Sequence, residues 1–122
     1  MKNCFGYILA LILVVSCAPS VPDSSVAVDR IPVIYPQYED VTIPCNIAPL
    51  VFRVEENGDA FVTCFSAGEK QVVVAGKDVS IPIDEWRELL SVVNGGKVNV
   101  EIFVKSNKSW SRFKSFTFAV SP

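Results

Sequence analysis

The sequence predicts an all-β domain, a β-sandwich that contains one short helix. Apolar and polar side chains alternate along several short segments, and residues 98–105 show this period of two most clearly. Turn-forming residues separate the segments. Only residues 83–93 show the three-to-four-residue spacing of an amphipathic helix. Short strands divided by turns, with one helical connection, are typical of two packed antiparallel sheets.

The chain begins with a pattern typical of secretion signals. Lys2 precedes an apolar run over residues 5–15, and Cys17 follows the small residues at 14–16. A run of 11 residues is shorter than the roughly 20 that cross a bilayer as a helix. A cleaved signal peptide over 1–16 is therefore favoured over a transmembrane anchor.

Cys17 itself resembles the cysteine of a bacterial lipobox, Val14-Val15-Ser16-Cys17. In that motif the cysteine carries fatty acyl chains and becomes the new amino end. We therefore expect Cys17 to be lipidated, with the lipid as the membrane partner. Ordinary secretion, with cleavage at the same small residues, is the alternative.

The charge balance and the absence of histidine in the sequence argue against nucleic-acid binding and against catalysis. Loss of Lys2 with the signal leaves 10 of the 11 Lys and Arg against 13 Asp and Glu, a formal charge of −3. Nucleic-acid backbones are met by clustered cations, so we predict no nucleic-acid partner. The chain has no histidine, which removes the most common general base and metal ligand. We predict no enzyme activity, no catalytic residue, no metal and no cofactor.

The segment over 17–38 is predicted to be a tether. It contains four prolines, Pro19, Pro22, Pro32 and Pro36. Proline fixes φ and removes a backbone donor, which disfavours a helix or a central strand. An extended polyproline-like chain, at about 3.1 Å per residue, would reach roughly 60 Å. The folded domain is then expected over 39–122.

Strands are predicted along most of this domain. Strict alternation places three apolar sets on buried faces: Leu50, Phe52 and Val54; Val98, Val100, Ile102 and Val104; and Phe116, Phe118 and Val120. Two more runs, 60–66 and 71–75, are rich in aromatic and β-branched residues.

Turns are predicted at 56–59, 67–69, 94–96 and 106–109. Asn57-Gly58 is the strongest hairpin signal, because a type I′ turn needs positive φ at both central residues. The oxygen ligands near this turn lack the spacing of an EF-hand loop, so a plain hairpin tip is favoured over a calcium site.

One helix is predicted between the strands. Its apolar stripe consists of Ile83, Trp86, Leu89, Leu90 and Val93. Pro82 suits the first turn, and Asp84 and Glu85 favour the positive end of the helix dipole. Gly95-Gly96 supplies the stop. With this helix, the pattern predicts an antiparallel immunoglobulin or fibronectin type III-like β-sandwich.

The two cysteines of the domain could form a disulfide in an oxidising compartment. A bond between Cys45 and Cys64 would close a loop of about 20 residues, worth roughly 3 kcal/mol in the chain-entropy model. The alternative is a buried free thiol on Cys64 and a loop thiol on Cys45.

The candidate ligand-binding residues are aromatic and basic. Trp110 lies between Lys108 and Arg112, and Tyr35 and Tyr38 could add aromatic surface. Aromatic faces stack on sugar rings, and a neighbouring cation could meet acidic groups. The alternative is that Trp110 seals the sandwich while the basic side chains protect an edge strand from pairing.

Residues 34–52, IYPQYEDVTIPCNIAPLVF, resemble the amino-terminal module of Bacteroidota lipoproteins. These are often labelled TolB-like, after the β-propeller that follows the module. Relatives read close to IYPDYxDVTIPPNIAPLNF and later carry a helix with a tryptophan and paired leucines, a Gly-rich turn and a second tryptophan. The counterparts here are Trp86, Leu89-Leu90, Gly95-Gly96 and Trp110. Cys45 stands where the pattern has proline, so a disulfide need not be a family trait.

The resemblance implies an outer-membrane lipoprotein of a Bacteroidota-type bacterium. Ala18 is not an aspartate retention signal, which fits outer-membrane sorting, and the lack of an early acidic cluster favours the periplasmic side over surface exposure. We expect a non-catalytic structural or protein-interaction module of the cell envelope, with an envelope protein as its partner. A glycan-binding module is the alternative.

Overall fold

The computed structural model describes residues 19–93 and 95–122. Over these residues the predicted all-β sandwich with one helix is confirmed. The elements are β1 (Val26–Val28), β2 (Ile34–Tyr35), β3 (Thr42–Ile43), β4 (Val51–Val54), β5 (Ala60–Ala67), β6 (Lys70–Ala75), β7 (Asp78–Ser80), α1 (Ile83–Val93), β8 (Lys97–Ser106), β9 (Ser109–Phe113) and β10 (Phe116–Val120). The predicted signal peptide and Cys17 lie outside the described residues.

The larger sheet has seven strands and is organised around β8. Strand β5 pairs antiparallel with one side of β8, and β6 continues the sheet beyond β5. Strands β9 and β10 share the other side of β8. Two short strands complete the margins in parallel, β1 on β9 and β3 on β10. These parallel pairs depart from the purely antiparallel arrangement that was predicted.

The smaller sheet, in the order β2-β4-β7, packs with α1 against the inner face of the larger sheet. The alternating apolar sets predicted in the β4 region, β8 and β10 are all buried in the core between these layers. On α1, four of the five stripe residues are buried, and the Trp86 ring lies 6.4 Å from the Phe118 ring. Ile83 is the exception, with 46% of its surface exposed.

The sandwich begins earlier than predicted, since β1 and β2 lie within the expected tether. Ile34 is buried in the core, and Glu55 donates its backbone N–H to the Val33 carbonyl. The four prolines of this segment all lie outside β1 and β2, so they remove no ladder donor from either strand.

The predicted hairpin at Asn57-Gly58 is wrong. Strands β4 and β5 belong to different sheets, so the segment between them is a crossover. Gly58 is instead required by close packing, because a Cβ there would lie 2.9 Å from the Lys105 carbonyl oxygen and would clash with Val104. The Asp59 N–H donates to the same Lys105 carbonyl at 2.7 Å.

Two other turns do form hairpins. Strands β8 and β9 are joined by Asn107 and Lys108, both with positive φ (52° and 64°), which is the type I′ geometry. Strands β5 and β6 are joined by Gly68-Glu69, with φ of 55° at the glycine. Both turns lie where the sequence predicts them.

Candidate functional site

A groove runs between α1 and the segment that joins β3 to β4. Its volume is about 750 Å³, and its lining residues are Cys45, Asn46, Ile47, Ala48, Ile83, Trp86, Arg87, Leu90 and Ser91. This volume is within the range of small-molecule pockets. The Trp86 indole N–H donates to the Ile47 carbonyl oxygen at 3.0 Å and holds the two walls together.

The rim of the groove is polar, and it carries positive charge. Arg87 is exposed, and no aspartate or glutamate is among the lining residues. The Ser91 hydroxyl already donates to the Glu88 carbonyl one turn earlier on the helix. Arg87 is therefore the charged group that the groove offers to a ligand.

The predicted disulfide is not formed: Cys45 and Cys64 are both free thiols. Cys64 lies opposite Glu101 on β8 and Val73 on β6, so its side chain is on the outer face of the larger sheet. Cys45 lies on the other side of that sheet, in the helix groove. The alternation of β5 thus turns Cys64 away from its predicted partner.

The two thiols have different surroundings. Cys45 is exposed, whereas Cys64 is buried and accepts a hydrogen bond from the Gln71 side-chain amide at 3.0 Å. Burial raises the pKa of the Cys64 thiol above its ordinary value, and the nearby Glu101 carboxylate acts in the same direction. Cys64 is therefore a poor nucleophile in the folded protein.

Of the five predicted ligand-binding residues, only Trp110 and Lys108 border the same groove. Trp110 and Lys108 border a small groove of about 240 Å³ with Ser24 and Ser25. The Lys105 ammonium lies 5.8 Å from the centre of the Trp110 ring. Arg112 instead lines a neighbouring depression.

The two tyrosines lie elsewhere. Tyr35 is on the outer face of the smaller sheet, on the opposite side of the sandwich from Trp110. Tyr38 is half-buried, with its ring 6.3 Å from the ring of Phe52 in the core. Tyr38 thus supports the core, and only Tyr35 offers an exposed ring.

Three large apolar side chains are exposed on or beside the outer face of the smaller sheet. Val33, Tyr35 and Val51 are 53%, 73% and 57% exposed. In the middle of this face, the Arg53 Nε donates to the Asp78 carboxylate at 2.9 Å. This pairing lowers the pKa of Asp78 and raises that of Arg53. We call these five residues the Tyr35 face.

Among the residues of the Tyr35 face, the sequence analysis predicted only Tyr35 to bind a ligand. It predicted no ligand-binding residue in the groove. The alternation around Phe52 does place Val51 and Arg53 outward. It does not reveal that β2 and β7 flank β4 and bring Tyr35 and Asp78 into the same row. That juxtaposition depends on strand pairing between distant segments.

The described residues contain neither a cluster of metal ligands nor a membrane-spanning helix. In that part of the chain, no three or more histidine, cysteine, aspartate or glutamate side chains come together as metal ligands. Nor does any helix there combine the length and the apolar character needed to cross a bilayer.

Comparison with protein-family models finds no match to the chain. Neither the curated proteins nor the solved structures contain a significant match. The architecture defines the chain as an all-β sandwich.

Proposed function

We propose that this chain is a lipid-anchored module of the cell envelope that binds a partner protein through its Tyr35 face and performs no catalysis. In this proposal Cys17 carries the lipid and places the sandwich on the periplasmic side of the outer membrane. The lipobox-like Val14-Val15-Ser16-Cys17 supports the anchor. The resemblance of residues 34–52 to Bacteroidota lipoproteins supports the location.

The exposed apolar side chains of the Tyr35 face are the observation that carries the proposal. Val33, Tyr35 and Val51 are half of the large apolar side chains exposed in the described residues. Tyr35 and Val51 lie on the smaller sheet in adjacent rows, Tyr35 opposite Arg53 and Val51 opposite Ser80. Val33 immediately precedes β2, and its carbonyl accepts the Glu55 N–H. Contiguous exposed apolar surface of this kind marks interaction sites, and tyrosine and arginine are enriched among the residues that dominate interface energies.

The charges on the face specify the kind of partner. Arg53 and Asp78 are 55% and 71% exposed at their side chains, so each can still contact a second molecule. A complementary surface would present one acidic and one basic group to this pair, with apolar side chains around them. Such a partner would bury Tyr35 and Val51 without leaving either charge unpaired.

Site-specific photo-crosslinking in the native envelope tests the interaction. We expect p-benzoylphenylalanine at position 35 or 51 to give one adduct of the same mass. The same probe at Glu69, in the exposed β5–β6 turn, should give none. Arg53→Glu should weaken the adduct formed from position 35. Equal adducts at all three positions, or no adduct at 35 and 51, would overturn the proposed interface.

The anchor has its own test. Mass spectrometry of the mature protein from its native membrane should find acyl chains on Cys17. Cys17→Ser should move the protein from the envelope fraction to the soluble fraction. An unchanged distribution, or an unmodified Cys17 in the wild type, would refute the lipid anchor while leaving the Tyr35 face untouched.

The groove beside Trp110 favours a second candidate function, glycan binding. Trp110 borders this groove together with the hydroxyl-bearing Ser24, Ser25 and Ser109 and with Lys108. An aromatic ring beside hydroxyls suits the apolar face and polar edge of a sugar. Specific signals on a glycan array that disappear in Trp110→Ala and persist in Tyr35→Ala would support this candidate over the first.

A further inference from the structure

We propose that the groove between α1 and residues 44–50 binds an aliphatic carboxylate, with the apolar chain along the groove and the carboxylate on Arg87. This site is separate from the Tyr35 face and does not depend on the anchor or on a protein partner.

The floor and one edge of the groove are apolar. Ile47, Trp86 and Leu90 line its inner part, and Ile83 stands at its edge. The polar atom of Trp86 is already used, because its N–H donates to the Ile47 carbonyl. Trp86 is only 1% exposed, so the apolar surface open to a hydrocarbon chain belongs chiefly to the half-buried Ile47 and the exposed Ile83.

Ile83 is only partly covered by the fold. It is 46% exposed although it continues the apolar stripe of α1, whose other members are buried. An aliphatic ligand in the groove would cover this side chain. Burial of exposed apolar surface would then favour binding without any change in the fold.

The positive charge of Arg87 favours a carboxylate as the polar end of the ligand. Arg87 takes part in none of the ion pairs among the described residues, which join Arg30 to Glu56, Arg53 to Asp78 and Lys70 to Glu88. A planar guanidinium matches a carboxylate through two parallel hydrogen bonds.

One cation beside an apolar floor favours a single negative charge on the ligand. A phosphate dianion would leave one charge without a partner, and a neutral alcohol would leave Arg87 without its anion. The volume of about 750 Å³ suits a small amphiphile. These features together specify a monocarboxylate with an aliphatic tail.

Cys45 provides a reporter inside the groove. Its thiol is exposed and lines one wall, whereas Cys64 is buried on the far side of the larger sheet. The full chain in phosphatidylcholine nanodiscs would be treated with iodoacetamide, and alkylation of each cysteine would be followed by peptide mass spectrometry. We expect octanoate to slow alkylation of Cys45 in a saturable way. Cys64 reports on general opening of the fold and should be unaffected.

Three comparisons test the assignment. Arg87→Gln should weaken octanoate binding about tenfold, as expected for loss of a hydrogen bond to a charged group. Arg112→Gln removes another exposed arginine, on β9, and should leave octanoate binding unchanged. Ile83→Ser should also weaken binding, and because Ile83 is half exposed it should fold normally. Octanol should protect Cys45 far less than octanoate at equal concentration.

Each opposite result would overturn the proposal. No saturable protection by octanoate would remove the site. Equal effects of Arg87→Gln and Arg112→Gln would remove the role of Arg87. Equal protection by octanol and octanoate would show that the groove does not recognise the carboxylate. Because the readout is local protection of Cys45 and requires neither acylation of Cys17 nor a protein partner, these outcomes are distinguishable from a failure of the proposed function.

Discussion

Arg30 and Glu56 form a two-pronged ion pair that joins the amino-terminal segment to the crossover between β4 and β5. The distances are 2.8 Å from Nη1 to Oε2 and 2.7 Å from Nη2 to Oε1. The same carboxylate accepts the Val33 backbone N–H at 2.8 Å. The Arg30 guanidinium also lies 4.9 Å from the centre of the Phe113 ring. One carboxylate therefore orders the chain between β1 and β2.

This pair predicts a pH-dependent contribution to stability. The hydrogen bond from Arg30 lowers the pKa of Glu56 in the folded protein, and the Val33 N–H adds to the effect. A carboxyl with a lowered folded pKa stabilises the fold above its unfolded pKa, near 4.3. That stabilisation is lost as the pH falls through the lowered pKa.

Urea unfolding at pH 7 should show the Glu56→Gln variant to be less stable than the wild type by roughly 1 to 2 kcal/mol, and the difference should shrink below pH 4. Glu69→Gln, at an exposed turn carboxyl, is the control; a constant difference across this range would contradict the prediction.

A buried hydroxyl in β5 predicts a stabilising substitution. Thr63 is 0% exposed, and its Oγ1 has no hydrogen-bond partner in the described residues. Thr63→Val keeps the shape and removes the unsatisfied polar atom, so the free energy of unfolding should rise by about 1 kcal/mol. Thr63→Ser keeps the hydroxyl and removes the methyl group, and it should lower stability instead. Thermal unfolding of both variants beside the wild type checks the sign.

The close approach of Gly58 to β8 predicts that alanine is poorly tolerated there. The added Cβ would meet the Val104 side chain and the Lys105 carbonyl oxygen. Overpacking of this kind costs roughly 1 to 3 kcal/mol, so Gly58→Ala should be clearly destabilised in urea. Asn57→Ala, at the exposed neighbouring position, should change stability much less. Similar effects for the two variants would contradict the packing argument.

The type I′ turn between β8 and β9 predicts a stabilising change at Lys108. Lysine at φ 64° carries a left-handed penalty that glycine avoids, and Asn-Gly is the preferred pair for this turn. Lys108→Gly should raise stability by about 0.5 to 1 kcal/mol. Lys108→Ala removes the charge but keeps the penalty, and it should give no gain. An equal gain in stability in both variants would show that the effect comes from loss of the lysine charge and not from the backbone conformation.

The two thiols should also differ in native reactivity. Iodoacetamide should modify Cys45 in the folded protein, because that thiol is exposed, and should modify Cys64 only after urea is added. Burial raises the pKa of Cys64, so fewer molecules carry its reactive thiolate. Peptide mapping without reductant checks the outcome. A peptide cross-linked through Cys45 and Cys64 would contradict the arrangement of free thiols.

The sequence predicted elements well where a local pattern determines them. The alternation of β8 and β10, the stripe of α1 and the turn at Asn107-Lys108 are local, and each is found in the structure. Phe103 shows the limit of this reasoning. It lies on the polar face of β8 and yet is 2% exposed, between Val62 on β5 and Arg112 on β9.

Pairings between distant segments could not be predicted in this way. Asn57-Gly58 has the composition of a hairpin turn, but β4 pairs with β2 and β7 instead of β5. The predicted Cys45–Cys64 disulfide was wrong for a related reason. The alternation of β5 determines on which face of the sheet Cys64 lies, but it does not determine where the distant loop that carries Cys45 packs. The groove likewise depends on the packing of residues 44–50 against α1.

The position of β1 has a mechanical consequence. This strand has three residues and pairs with β9 only at the margin of the larger sheet. A force applied to the amino end of the chain reaches β1 first, and the Arg30–Glu56 pair is the next strong attachment along the chain. Detachment of β1 would release extended chain while the core stays intact, so the domain could yield to a pull on its amino end before it unfolds.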